Sequence, residues 1–170
     1  NWEKVIKEGA KLNEKYSLEK SPGTPFASPY NNKESIFSML HSEVINPGVN
    51  AALASQYNRR QLVCISPIIW RDPEWLADDK RRYDNDADPA AMVFTVSGRK
   101  YTKKYKDAVN YTDAAPVIRY AEVVLNMAEA YARTGDNING LKLLNSVRDR
   151  ALTNPAAQSF TSFADSKALV

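Results

Sequence analysis

At 170 residues the chain is long enough for one sizeable core and short for two domains. Its net charge of +3 is small and spread along the sequence, so no strong basic field points to nucleic acid or an acidic membrane surface as a partner. Cys64 is the single cysteine, which excludes an intrachain disulfide and a cysteine-rich metal site and leaves the redox compartment open.

The first predicted element covers 1–20. Trp2, Val5, Ile6, Ala10 and Leu12 recur at helical spacing, giving an apolar face that ends near Tyr16. Asn1, with no Met, no basic apolar leader and no cysteine beside it, reads as the start of a processed product or an excised fragment. Residues 21–110 form a loop-rich region. It opens on SPGTPFASPYNN, which is turn chemistry throughout. Glu34 to Leu40 suits a strand or a helical turn equally, because periodicity cannot separate the two at that length. From Asn46 to Pro89 Pro, Gly, Asn and Asp recur between aromatic residues, and a long irregular span of that kind is more often a binding region than filler. The apolar LVCISPIIW within it is cut by Ser66 and Pro67 and is far short of the roughly 18 residues of a membrane span. Met92 to Val96 reads as a short strand, followed by the basic SGRKYTKKYKDAVNY.

Residues 112–152 carry the strongest pattern, an antiparallel helical hairpin. Thr112 or Asp113 is placed to cap its first helix, Pro116 falls in the first turn, and Gly135 ends it. Val117, Ala121, Val124, Ala128 and Tyr131 form the apolar face, opposite a stripe of Arg119, Glu122, Asn126, Glu129 and Arg133. Asp136 or Asn137 starts the second helix, in which Ile138, Leu141, Leu144, Val147 and Ala151 repeat the period. From Ala128 the spacing to Tyr131, Gly135, Gly140, Leu144 and Val147 reproduces a tetratricopeptide unit in part. Val124 stands where that consensus has Trp, Gly140 where it has Ala, and Pro155 comes late. A glycine inside a helix costs about 1 kcal/mol relative to Ala, so Gly140 implies either a close approach of the preceding helix or a worn pattern. Residues 153–170 read as the start of a truncated segment, with ADSKALV as the first turns of a helix. The fold class expected is therefore mainly α: a tetratricopeptide-like helical hairpin scaffold, long irregular loops and at most a few short strands.

Pro-Val-Ile-Arg-Tyr-Ala-Glu at Pro116, Met-Ala-Glu-Ala at Met127, the Gly135-Asp136 turn and Leu-Leu-Asn-Ser-Val-Arg-Asp-Arg-Ala at Leu143 together resemble the SusD/RagB family of outer-membrane nutrient-binding lipoproteins. Looser matches follow in the family order: the helix from Trp2 to Leu18, Asn32 to Phe37, and an Asp-x-Arg-Arg element at Asp79 to Arg82. The resemblance fits the C-terminal portion of a longer protein truncated at both ends, since the family's lipidated N-terminal cysteine and a further Glu-Arg-Arg-rich helix are missing here. It implies a single SusD-like region that binds oligosaccharide or polysaccharide at the Gram-negative cell surface. The glycan would pass, without bond cleavage, to a SusC-like TonB-dependent transporter, with membrane association only through a lipid anchor on the full-length protein. A tetratricopeptide-like protein interaction module is the second reading and a glycoside hydrolase a distant third.

Sugars present apolar C–H faces ringed by hydroxyls, so a site needs aromatic platforms with a few planar polar groups. Trp70, Trp75, Tyr57 and Tyr83 with Asn58, Arg59 and Arg71 have that makeup and lie in the loops. Trp70, after Pro67-Ile68-Ile69, also suits the core. Glu122 and Glu129, two turns or about 10 Å apart, have the separation of paired catalytic carboxylates. Yet Arg119–Glu122 and Glu129–Arg133 are ordinary helix pairs. Arg119, Glu122, Glu129, Gly135, Asn145 and Arg148, all within the matching motif, are read as scaffold. His41 is alone and argues against a histidine-based metal or catalytic centre, and Cys64 reads as a small buried hydrophobe. Asp78, Asp79, Asp84, Asp86 and Asp88 lack the spacing of a calcium loop and read as a solvated acidic loop. Arg99, Lys100, Lys103, Lys104 and Lys106 read as an exposed basic strand or loop rather than a nucleic-acid surface. No catalytic residue, metal or cofactor is expected.

Overall fold

The helical period of the C-terminal half produces the longest elements. A computed structural model describes residues 1–164 and Ala168, and the expectation for the last residues, ADSKALV, lies largely outside them. Two compact units divide the chain, one of Asn1–Ser21, Asn32–Phe37 and Ile118–Val170, the other of Pro22–Asn31 and Ser38–Val117. The described residues are helical with few short strands.

In the first unit α4 (Tyr120–Arg133) and α5 (Asn137–Asp149) form the hairpin. Gly135 takes a left-handed φ of +89°, which is open to glycine at little cost, and Asp136 caps α5 by accepting from the Asn139 amide at 3.1 Å. α1 (Trp2–Ala10) packs on α4. The core gathers Tyr120, Val124 and Met127 with Leu12, Tyr16, Leu18, Ile36, Val123, Leu143 and Val147.

Several sequence expectations change here. α1 stops at Ala10, short of Tyr16, and Gly9 rather than Ala10 is its buried residue. Trp2 stays 42% exposed, with the Arg133 guanidinium 4.9 Å from its ring centre. The first hairpin helix starts eight residues after Thr112, at Tyr120, because 115–119 is strand β4. A residue before proline is pushed away from helical geometry, and Val117 and Ile118 are β-branched. Pro116 is tolerated in β4 because, among the described residues, β4 pairs only with β1 (Ser35–Met39) in a two-stranded sheet, so one edge needs no donor. Asp113 is therefore no helix cap. It is buried, and its carboxylate accepts from Tyr30 Oη and from the Asp107 amide, both at 2.8 Å. Val117 is exposed, and Ile138, expected on the apolar face of α5, is 82% exposed. Gly140 is buried.

The second unit holds the short helical turns α2 (Gly48–Ala51) and α3 (Pro67–Trp70) and is built around an antiparallel hairpin of β2 (Val93–Val96) and β3 (Arg99–Thr102), registered Val96 to Arg99 and Phe94 to Tyr101. Ser97 and Gly98 both have positive φ, the conformation a tight two-residue hairpin turn demands. Phe94 and Tyr101 stack at 5.4 Å and are buried with Ala91, Met92 and Val93. The acidic and basic stretches meet. Lys100 pairs with Asp84, Lys103 donates to the Asp86 carbonyl at 2.6 Å, and Lys106 to that of Pro89 at 2.6 Å. The acidic loop is thus not simply solvated, and Asp79 within it is 2% exposed.

Candidate functional site

The second unit brings aromatic and cationic groups together through several short local structures. Ser66 caps the single helical turn α3 (Pro67–Trp70), its hydroxyl accepting from the Ile68 amide at 3.2 Å, with Pro67 in the first position where it suits a helix. That turn presents Trp70 and Arg71. Asp79 caps a 3₁₀ turn at Lys80–Arg82, accepting from the Arg81 amide at 2.8 Å, and its carboxylate also holds the Arg81 guanidinium. Arg82 is thereby aimed at both tryptophans.

The Arg82 guanidinium lies 4.6 Å from the Trp70 ring centre and 5.4 Å from that of Trp75, within the range of a favourable cation–π contact. It donates to the Trp70 carbonyl at 3.1 Å and to the Trp75 carbonyl as well. The two indoles meet edge to face at 5.6 Å. Lys100 Nζ is 5.0 Å from the Trp70 ring and is held there by Asp84 and by the Thr95 hydroxyl at 2.7 Å. Burial tends to raise the Asp84 carboxyl, but its hydrogen bonds from Lys100 and Thr95 bring it below the usual range.

Beside Trp70 lies a cleft of about 170 Å³. One wall comes from Cys64, Ile65, Pro67, Trp70 and Arg71, the other from Gly98, Arg99 and Lys100 of the hairpin. A hydrogen bond from the Ile65 amide to the Lys100 carbonyl at 2.7 Å fixes the two walls to each other. Cys64 is exposed in this cleft, so the reading of it as a buried hydrophobe is corrected. The next residue, Ile65, is bound through its amide to β3, and Cys64 stays at the surface rather than entering the core. Trp70 is half-buried, so it is neither wholly core nor a free platform.

The other sequence candidates form separate groups. Tyr57, in a π-helical turn at Ser55–Arg59, stacks on Tyr105 at 5.9 Å, and Asn58 donates to the Tyr105 carbonyl at 3.4 Å. Arg59 donates to the Tyr111 hydroxyl. Tyr83 is 42% exposed and its hydroxyl donates to Asp88 at 2.8 Å. Sequence reasoning missed Arg82, Arg99 and Lys100 as companions of Trp70. The Asp-x-Arg-Arg element was the available signal for Arg82.

The residues read as scaffold sit in the first unit, with two changes of partner. Arg119 is in β4 rather than α4, and its guanidinium donates 2.8 Å to Glu34, not to Glu122 as an i,i+3 pair would. Glu129 and Arg133 do pair, at 2.7 Å, while Glu122 is exposed. Asn145 donates 2.7 Å to the Phe160 carbonyl, and Arg148 donates 2.7 Å to that of Gln158 with its guanidinium 4.2 Å from the Phe160 ring. His41 is half-buried with Nδ1 2.8 Å from the Asp113 carbonyl. No helix among the described residues is long and apolar enough to cross a membrane, and no group of three or more potential metal ligands occurs among them.

The sequence model of the SusD family matches residues 78–167, just over half the chain. No curated protein matches. A crystal structure of a SusD superfamily protein from Bacteroides fragilis is similar over 99% of this chain, with 28% identity and a TM-score of 0.76. The chain covers 38% of the length of that protein.

Proposed function

The chain belongs to the SusD/RagB family, and from that premise we propose that it takes part in capturing glycans at the outer-membrane surface. The protein that carries it holds oligosaccharide or polysaccharide, cleaves no bond, and hands the glycan to a SusC-like TonB-dependent transporter. Its anchor is lipid. The α4–α5 hairpin serves as a tetratricopeptide-like scaffold, with Arg119, Glu129, Gly135, Asn145 and Arg148 maintaining it. Polysaccharide utilisation is the biological setting this reading assigns.

The observation that supports the reading best is the Trp70–Trp75 pair clamped by Arg82 at the edge of a cleft. The indole surface left uncovered by Arg82 and Lys100 supplies apolar area for sugar C–H faces, and Arg71 and Arg99 beside it supply directional donors for ring oxygens and hydroxyls. Arg71 shares that cleft, whereas Tyr57, Asn58, Arg59 and Tyr83 are secondary candidates for more distant sugar rings. Calorimetric titration of soluble oligosaccharides against the 170-residue chain tests this. Binding is expected, with Trp70→Ala and Trp75→Ala each weakening it by about tenfold, the loss of one stacking platform. Binding of extended peptides but no glycan would favour a protein interaction module instead, and release of new reducing ends would favour a hydrolase.

A further inference from the structure

The Trp70 cleft has an unbalanced lining. Arg71, Arg99 and Lys100 line it, and no carboxylate does. Lys100 is already neutralised by Asp84 and steered toward the Trp70 ring. Arg71 and Arg99 are exposed, and neither forms an ion pair among the described residues. Two arginines whose charge is uncompensated therefore line one small cleft.

We propose that the glycan group received in the Trp70 cleft is anionic, a sugar bearing carboxylate or sulfate, held by Arg71 and Arg99 while its ring packs on Trp70. This rests on the glycan-binding reading above and names the substrate class for the same site. The chemistry of donors and acceptors decides it. Arg and Lys carry donors and no acceptor, so these side chains cannot receive a bond from a sugar hydroxyl. A neutral ring, whose hydroxyls both give and accept, is matched on one side only. An oxyanion is acceptor-only, and the planar guanidinium fork fits its paired oxygens. The volume also limits the ligand. About 170 Å³ lies well below the roughly 300 Å³ where pockets for drug-sized molecules begin, which suits one ring and its substituent rather than a long stretch of chain. Backbone groups at Gly98, a position with no side chain, leave the cleft open on the hairpin side.

Three tetrasaccharides test the proposal by calorimetry on the 170-residue chain: tetragalacturonate, its methyl ester with the same backbone and no charge, and a carrageenan tetrasaccharide, which bears sulfate and no carboxylate. At least one charged probe is expected to bind about tenfold more tightly than the ester, as charge-assisted hydrogen bonds require. The two charged probes separate carboxylate from sulfate. The Arg71→Gln/Arg99→Gln variant should lose the preference, whereas Lys4→Gln/Lys7→Gln, which removes equal charge from the exposed face of α1, should keep it. Equal binding of ester and charged probes, or a preference that survives the double arginine exchange, overturns the anionic assignment and leaves glycan binding standing. Failure of these probes and of neutral oligosaccharides alike overturns glycan binding itself.

Discussion

Glu34 shows how far a single residue departs from its sequence appearance. It opens a short stretch of unclear type, yet it is fully buried. Its carboxylate accepts from Arg119 at 2.8 Å, from Arg150 at 3.0 Å and from the Glu19 amide at 3.1 Å, and Arg150 also donates to the Glu19 carbonyl at 2.9 Å. A buried charge is tolerated only when paired and hydrogen-bonded, and removing one partner leaves the others uncompensated. Glu34→Gln keeps the shape and deletes the charge between two guanidinium groups. It should destabilise the first unit by about 3 kcal/mol in urea denaturation, at the lower end of such losses because Arg119 is partly solvated. A change within experimental error would show that the two arginines find other partners. Nothing in the sequence around Glu34 announces this role, since its partners lie 85 and 116 residues away.

At the scale of elements, α4 and α5 were legible because their signals are local: a period of three to four residues, a capping Asp136 and a left-handed Gly135. β4 was misread for an equally local reason. Pro116 suits a helix start and an edge strand alike, and the pairing with β1 decides between them. α1 was legible in type, but the reason it lies so close to α4 was not. A Cβ at Gly9 would sit 2.6 Å from both Cγ and Sδ of Met127, so the absent side chain is what admits the helix. Gly9→Ala gains helix propensity worth about 1 kcal/mol and loses more by overpacking, typically 1–3 kcal/mol. The expected outcome is a net fall in melting temperature, recovered in Gly9→Ala/Met127→Ala relative to Met127→Ala alone. A stabilised single variant would mean that Met127 moves aside freely.

For the molecule as a whole, acid is the sensitive variable. The Asp107 carboxyl is lowered to about 2, chiefly by the Thr112 hydroxyl; burial opposes this, and the amides of Asn110, Thr112 and Val109 at 2.8, 3.1 and 3.2 Å each add a smaller lowering. Asp88 and Asp136 are lowered too, Asp88 first by the Ala90 amide and Asp136 by Asn139. A carboxyl depressed in the folded state contributes stability above its unfolded value, near 3.9. That contribution fades as pH falls through the folded value. The melting temperature should therefore decline between about pH 4 and pH 2. Asp107→Asn should melt lower at pH 6 and show a shallower decline, measured by circular dichroism at constant ionic strength. A decline unchanged by the substitution would place the acid sensitivity elsewhere.

By itself the sequence determined the helical hairpin, the turn-rich middle and the family pattern, because each is written in spacings of a few residues. Only the tertiary structure decided what the candidate site consists of. Trp70 is joined to Arg82 across 12 residues, and Lys100 lies still further along the chain. Capped single turns and a hairpin register bring them together, and neither has a period that composition can reveal. The same holds for Cys64, placed in a cleft rather than a core, and for the acidic loop, whose charges are met by a basic strand. Local geometry is encoded by neighbours in sequence, whereas a site is a convergence of distant side chains, and convergence is set by packing.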